Sequence, residues 1–291
     1  MCATTSEANI NKSCIRHYQL LSHSLDILPV VVLEGSCPKA KAATVQARNA
    51  QVWGTKVPGL PDTPKRQLRR QFGGVLKDCQ RLVESLGVPC VTAPGEAEAL
   101  CSALNSAGLV DAVVSDDSDC FCYGAKTVLK NFSTDPKNFS VSRYSSRQIR
   151  QEVFLTRQRM VIMALLLGCD YNQGGVAGVG REALLRLFSL WGAPSKDELD
   201  TVLSWVDTGE EEVNMAKPVH CGTCGHPGSV GTHRRAGCGV CGTTECGPGI
   251  ECQCEYHSPE FQLRMAEWAV KKKAVASPGW PFQNVVTEFY K

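Results

Sequence analysis

Short apolar runs rich in β-branched residues alternate with helical stretches through the first half of the sequence, and two of them lead into acidic residues. The runs at 27–33, 88–92, 110–114 and 127–132 have the composition and length of buried strands. Intervening helices are expected at 38–53, 64–86 and 95–107. Such alternation predicts an α/β fold with a mostly parallel sheet, whose ligands bind beyond the carboxyl ends of the strands.

From about residue 148 the pattern becomes helical. We expect helices at 157–167, 181–191 and 259–274, with a glycine-rich turn region at 168–180. These patterns predict four segments, which are an α/β core at 1–150, a helical region at 151–215, a Cys/His-rich module at 216–258 and a helical tail at 259–291.

The charge balance and the hydropathy of the sequence argue against a uniformly basic binding surface and against a membrane-spanning segment. The formal net charge is +2, from 31 basic and 29 acidic residues, so any anionic partner must be held by local patches. The longest apolar run, Met160–Cys169, has ten residues and is too short to cross a bilayer. No signal-peptide pattern opens the sequence, so we expect an intracellular, reducing location without a membrane.

Six carboxylates stand at the edges of apolar runs: Glu34, Glu96, Glu98, Asp117, Asp119 and Asp170. Asp117 and Asp119 would face the same side of an extended segment. Glu96 and Glu98 do not share a helical face, so they converge only at an irregular helix start. Each acid alone is most simply a solvated cap or turn residue, but together they favour a site for Mg²⁺, which takes oxygen ligands.

Basic residues and glycines suggest contacts with phosphate. Lys41 and Arg48 are two helical turns apart and point the same way, either as a phosphate clamp or as an ordinary exposed helix face. The glycines of 174–180 precede the helix at 181–191, where backbone N–H groups can approach an anion. Helical hairpins without ligands use similar turns.

Seven of the 16 cysteines fall within 221–254, and four of the six histidines lie in or beside this window. Clustering of this kind indicates metal binding rather than a disulfide framework. Cys221, Cys224, Cys238 and Cys241 have the spacing of a four-thiolate zinc site. A second set is Cys246, Cys252, Cys254 and His257, and the alternative is a compact loop of reduced thiols.

Four phrases resemble one family in order, spacing and context. They are Pro94–Ala99 (PGEAEA), Asp111–Ala125 (DAVVSDDSDCFCYGA), Leu166–Tyr171 (LLGCDY) and Gly175–Gly180 (GVAGVG). The chain is similar here to the flap-endonuclease/XPG-type structure-specific nucleases. The likeness is greatest to the GEN-type Holliday junction resolvases, on the grounds of Glu34, the phrase YGA…VLKNF, the short basic segment at 64–70 and the cysteine-rich tail. It covers about residues 20–291.

The resemblance implies a PIN-like (Rossmann-like) core followed by a helix-two-turn-helix. It implies a Mg²⁺-dependent endonuclease of recombination and repair that hydrolyses phosphodiesters at Holliday junctions and 5′ flaps. It further implies a nuclear location and a homodimer on four-way junctions.

The same resemblance assigns site residues. Glu34, Glu96 and Glu98 would hold one Mg²⁺, Asp117, Asp119 and Asp170 a second, and Lys41 and Arg48 would grip the phosphate. The duplex backbone would lie on Gly175, Gly178, Gly180 and Arg181, with K⁺ at the helix-two-turn-helix, and Lys65, Arg66, Arg69 and Arg70 would lie near the junction.

One departure bears on catalysis. The family domain begins with a strand whose Asp completes the metal site, and nothing before Glu34 matches it. We therefore expect this strand and ligand to be missing from the chain. Two alternatives follow, a catalytically defective junction-binding protein and a zinc-stabilised interaction module on a nuclease scaffold.

Overall fold

The computed structural model describes residues 26–36, 38, 41, 74, 76–133, 140–207, 219–242, 245–247 and 258–291. Residues 1–25, nearly all of the predicted helix at 38–53 and the start of the predicted helix at 64–86 lie outside this part. The chain divides into two compact units. The first comprises Met1–Val161 and Asn284–Lys291, and the second comprises Ile162–Gln283.

Two small sheets form in the described part of the first unit. Strand β1 (Val31–Leu33) pairs in parallel with β2 (Cys90–Thr92). In the other sheet, β3 (Val113–Val114) is parallel to β4 (Thr127–Ser133), which is antiparallel to β5 (Ser140–Ser145). The four predicted strand regions therefore contain β1 to β4, and their parallel pairs support the predicted α/β class.

Helices flank these strands. Residues 76–85 are helical, followed by α1 (Ala97–Ser106), α2 (Asp119–Cys122) and α3 (Ser146–Val153). The apolar core between α2 and the sheet consists of buried Val113, Cys120, Phe121, Ala125 and Val128.

Asn105 ties the end of α1 to the second sheet. Its buried side chain accepts hydrogen bonds from the backbone N–H groups of Lys126 (2.7 Å) and Thr127 (3.0 Å). Its amide Nδ2 donates to the carbonyl of Val110 at 3.0 Å. One side chain thus satisfies three backbone groups at the edges of β3 and β4, which fixes α1 relative to the strands.

Helix α4 (Arg157–Leu167) contains the division between the units. In the second unit follow α5 (Arg181–Trp191), α6 (Glu198–Leu203), a 3₁₀ turn (Ser204–Asp207), α7 (Val230–Ala236) and α8 (Pro259–Val275). The last helix, α9 (Gln283–Phe289), leads into the C-terminus. No helix in the described part is both long and apolar enough to span a membrane.

Trp205 is a large, fully buried side chain of the second unit. Its indole Nε1 donates to Glu267 of α8 at 3.2 Å, and its ring stacks on Trp280 with centroids 6.2 Å apart. The indole thereby keeps a polar partner while its ring is buried, as buried tryptophans usually do.

Replacing Asn105 tests the link between α1 and the strands. We expect Asn105→Ala to lower the free energy of unfolding by about 3 kcal/mol, because it leaves two N–H donors and one carbonyl without a partner. Urea unfolding followed by circular dichroism measures this, with exposed Ser106→Ala on the same helix as the control. Equal stability of the two variants would contradict this role for Asn105.

Candidate acid site and Cys/His metal site

Three of the predicted carboxylates converge at the amino end of α1. We call Glu34, Glu96 and Glu98 the acid cluster. Glu34 follows β1, Glu96 is the residue before α1, and Glu98 lies in its first turn. Glu34 Oε2 accepts a hydrogen bond from the backbone N–H of Ala97 at 3.1 Å. This N–H is one of the first in α1, which have no acceptor within the helix. The expectation that Glu96 and Glu98 lie at a helix start is confirmed.

Gly35 allows this approach. Its N–H donates to the carbonyl of Gly95 at 2.9 Å, and a Cβ at this position would lie 1.8 Å from the carbonyl oxygen of Ala93. Only a glycine fits so close to the loop between β2 and α1. The sequence Glu-Gly at the end of β1 therefore brings the first acid of the cluster to the helix.

The acid cluster concentrates like charge. Glu96 is 7% exposed, and its Oε2 pairs with Lys41 Nζ at 2.5 Å. Burial raises the pKa of Glu34, the N–H of Ala97 opposes this, and the charges of Glu96 and Glu98 raise it further. Carboxylate oxygens are the ligands that a divalent cation prefers, and such a cation would offset the repulsion among these three acids.

Asp117 and Asp119 differ from the extended pair expected from the sequence. Strand β3 ends at Val114, and Asp119 is the first residue of α2. Asp117 Oδ1 accepts the N–H of Asp119 at 2.9 Å, so the first acid caps the backbone of the second. Only residues 115–118 separate β3 from α2, so the two acids do not lie on one extended segment.

Cys120 connects this turn electrostatically to the acid cluster. Burial raises the pKa of its thiol, and the carboxylates of Glu98 and Asp117 both add to the shift. Both acids are thus within electrostatic range of one buried thiol in the first unit.

Asp170 lies in the turn after α4, in the second unit. Five of the predicted DNA and phosphate contacts lie outside the described residues: Arg48, Lys65, Arg66, Arg69 and Arg70. Of the predicted phosphate pair, the structure therefore places Lys41 alone.

The glycine turn before α5 is closely packed. Gly175 has φ +54°, and a Cβ on it would lie 2.5 Å from the carbonyl oxygen of Leu166. Gly178 has φ +77°, and its carbonyl accepts the ammonium of Lys273 at 2.6 Å. Gly180 is the N-cap of α5, and exposed Arg181 is its first residue. Lys273, which the sequence reading did not assign to this turn, thus places positive charge beside its backbone.

Two groups of cysteine and histidine side chains have metal-site geometry. We call Cys221, Cys224, His233 and Cys246 group A, and Cys224, His226, Cys238 and Cys241 group B. Within each group all ligand atoms lie within 4.8 Å of one another. Among the described residues, the acid cluster does not meet this criterion.

The predicted four-thiolate set is divided between these groups. Cys221 belongs to group A, Cys238 and Cys241 belong to group B, and Cys224 belongs to both. Two histidines occupy the remaining positions. The physical reason is α7, which places His233 beside Cys224, while Nδ1 of His226 lies near the second cysteine pair. Of the predicted second set, Cys246 joins group A, and Cys252, Cys254 and His257 lie outside the described residues.

Comparisons with known proteins identify relatives of this chain. Residues 87–170 match the XPG I-region. The human flap endonuclease GEN homolog 1 is 38% identical over 275 residues, which are 91% of this chain and 30% of that protein. The Drosophila melanogaster flap endonuclease GEN is 35% identical over 281 residues, 90% of this chain and 38% of that protein. The chain thus spans between 30% and 38% of the length of these two relatives.

Solved structures agree with the fold. A crystal structure of human GEN1 in complex with Holliday junction DNA matches with a TM-score of 0.60 and 28% identity, covering 100% of this chain and 56% of that one. The catalytic core of Rad2 in complex with a DNA substrate matches with a TM-score of 0.59 at 23% identity, covering 99% and 72%. The second likeness concerns the fold alone.

The structural match to human GEN1 and the parallel strand pairs of the α/β unit support a PIN-like fold. This confirms the predicted fold class. The chain is thus similar to the flap-endonuclease/XPG-type nucleases, and its similar relatives include GEN flap endonucleases.

Removing Lys41 tests the charge balance of the acid cluster. We expect Lys41→Met to cost about 3 kcal/mol of stability in a chelator, because breaking a buried pair leaves one charge unpaired. Added Mg²⁺ should restore more of this loss in the variant than it adds to the wild type. Exposed Lys77→Met is the control in thermal unfolding. An unchanged melting temperature in chelator would show that the pair with Glu96 contributes nothing.

Proposed function

We propose that this chain is a structure-selective DNA endonuclease that hydrolyses phosphodiesters at four-way junctions and 5′ flaps in recombination and repair. The observation that carries the proposal is the convergence of Glu34, Glu96 and Glu98 at the amino end of α1, with Lys41 paired to Glu96. Like charge gathered at one place needs cations to stay ionised, and phosphodiester hydrolysis uses the same cations.

In this proposal the carboxylates hold two Mg²⁺ ions. The acid cluster would hold one, and Asp117 and Asp119 would contribute ligands to the other. When bound, the two ions supply an activated water and stabilise charge on the attacking and leaving oxygens.

The protein's own groups bind and orient the substrate. Lys41 balances the charge of Glu96. From the same position its ammonium group would also contact the scissile phosphate. With Arg48 it would form the predicted phosphate grip.

The second unit would hold the duplex backbone. The amino end of α5 favours anions, and Arg181 and Lys273 add positive charge at the glycine turn. These groups contact phosphates and carry no base specificity, which suits recognition of DNA shape. We also propose K⁺ at the glycine turn before α5.

The proposed partners and location follow from the substrate. A relative binds Holliday junction DNA in its crystal structure. Symmetric cleavage of a four-way junction needs two active sites related by a two-fold axis, so we propose a homodimer on that substrate. We also propose that the protein acts in the nucleus. For the Cys/His module we propose structural zinc, because its ligand types and spacing suit that ion.

Asp117→Asn tests the catalytic proposal. The asparagine keeps an oxygen acceptor for the N–H of Asp119 but loses the charge, so the local fold should persist. With labelled four-way junctions and 5′ flaps in Mg²⁺, we expect cleavage to fall about 100-fold or more, because a bound cation supplies several kcal/mol of transition-state stabilisation.

Asp78→Asn, an exposed acid on the helix at 76–85, is the matched control and should cleave as the wild type does. Equal cleavage by Asp117→Asn would overturn the assigned role of Asp117. Junction binding without cleavage by the wild type would overturn catalysis and favour the junction-binding alternative. Loss of both binding and cleavage in the wild type would reject both.

A further inference from the structure

The Cys/His module contains two similar turns. Residues 221–225 read CGTCG and residues 238–242 read CGVCG. In both, the N–H of the final glycine donates to the carbonyl of the first cysteine, at 2.9 Å from Gly225 and 2.8 Å from Gly242. Both glycines have positive φ, +72° and +71°. The same backbone turn therefore presents a cysteine pair twice.

Each turn also directs backbone N–H groups at its first sulfur. The N–H of Thr223 lies 3.4 Å from Cys221 Sγ, and the N–H of Cys241 lies 3.4 Å from Cys238 Sγ. Such contacts stabilise thiolate, which is the form that ligates metal.

The distances inside both groups fit a tetrahedral ion. Zn–S and Zn–N bonds of about 2.3 and 2.05 Å place neighbouring sulfur and nitrogen ligands about 3.5 Å apart. In group B, His226 Nδ1 lies 3.1 Å from Cys241 Sγ and 3.3 Å from Cys238 Sγ. In group A, His233 Nδ1 lies 3.5 Å from Cys224 Sγ and 3.1 Å from Cys246 Sγ.

His233 is oriented as a metal ligand. Its Nδ1 faces the sulfurs, and its Nε2 lies 2.7 Å from the carbonyl of Pro227, to which it would donate. A ligating imidazole typically donates its other N–H to such a carbonyl, which fixes the ring and tautomer. Gly228 leaves room for this ring, since a Cβ there would lie 2.8 Å from Nε2.

Cys224 lies between the groups. Its Sγ lies within 4.8 Å of every other ligand atom in group A and in group B. Each group has four ligands only when Cys224 is counted in both. If only one group held an ion, three ligand side chains of the second group would be clustered around no ion.

We propose that the module is a binuclear zinc site in which the Cys224 thiolate bridges two ions. Each ion then has three sulfurs and one imidazole nitrogen, a Cys₃His set that occurs in structural zinc sites. Five thiolates and two Zn²⁺ give a net charge of −1, so the cluster is nearly neutral. The inference rests on the proposal that the module binds zinc. It replaces the four-thiolate ligand set and sets the number of ions at two, and it does not depend on the nuclease activity.

The site would organise a segment with little apolar core. Its helix, α7, has seven residues, and four of the seven ligand residues are among the buried ones, Cys221, Cys238, His226 and His233. Metal binding in such modules supplies folding free energy that a larger apolar core would otherwise provide.

Counting zinc in the whole purified chain tests the proposal without a variant. Native mass spectrometry should show two Zn²⁺ per chain. X-ray absorption at the zinc edge should show a zinc neighbour at about 3.8 Å, the separation that two 2.3 Å bonds to one tetrahedral sulfur impose.

Each result discriminates. One zinc per chain overturns the binuclear site and leaves a mononuclear zinc module. No zinc overturns both. Two ions without the zinc–zinc distance overturn the bridge.

Variants of single cysteines provide a second test. Cys238→Ser and Cys246→Ser should each retain one zinc, because each removes a ligand of one group, whereas Cys224→Ser should weaken both. Cys79→Ser, outside the module, should retain two. If Cys224→Ser retained two ions as firmly as Cys79→Ser, Cys224 would not be the bridge.

Discussion

Repulsion among three carboxylates at one helix start is the constraint on which the proposed function depends. Glu34, Glu96 and Glu98 are held together by the N–H of Ala97, by the glycine at 35 and by the ammonium of Lys41. The amino end of a helix favours negative charge, which offsets part of the cost. One lysine does not balance the charge of three acids, so further cations at this helix start would stabilise the arrangement.

Much of the fold was predictable from local patterns. The apolar runs at 88–92 and 127–132 contain β2 and nearly all of β4, and the helices predicted at 95–107 and 181–191 correspond to α1 and α5. Strand β5 was missed because Ser140–Ser145 is largely exposed and has no apolar face. Helices α2 and α7, of four and seven residues, are too short to show a helical period.

The sites were predictable in composition but less so in geometry. The sequence indicated the residues of the acid cluster and Lys41, because acids after apolar runs meet at one edge. It divided the cysteines by spacing alone and did not assign His226 or His233 as ligands, although the clustering of histidines pointed to them. Their positions depend on the turns at 221–225 and 238–242 and on α7, which no pairwise spacing reveals.

Calorimetric titration of Mg²⁺ into the chain tests most directly whether the acid cluster is a cation site. Glu98 lies in the first turn of α1, and Glu98→Gln removes charge with little change of shape. The wild type and Asp78→Asn should bind Mg²⁺ with the same affinity and stoichiometry, and Glu98→Gln should bind it more weakly or not at all. Indistinguishable titrations for all three proteins would contradict the cation site and the nuclease mechanism built on it.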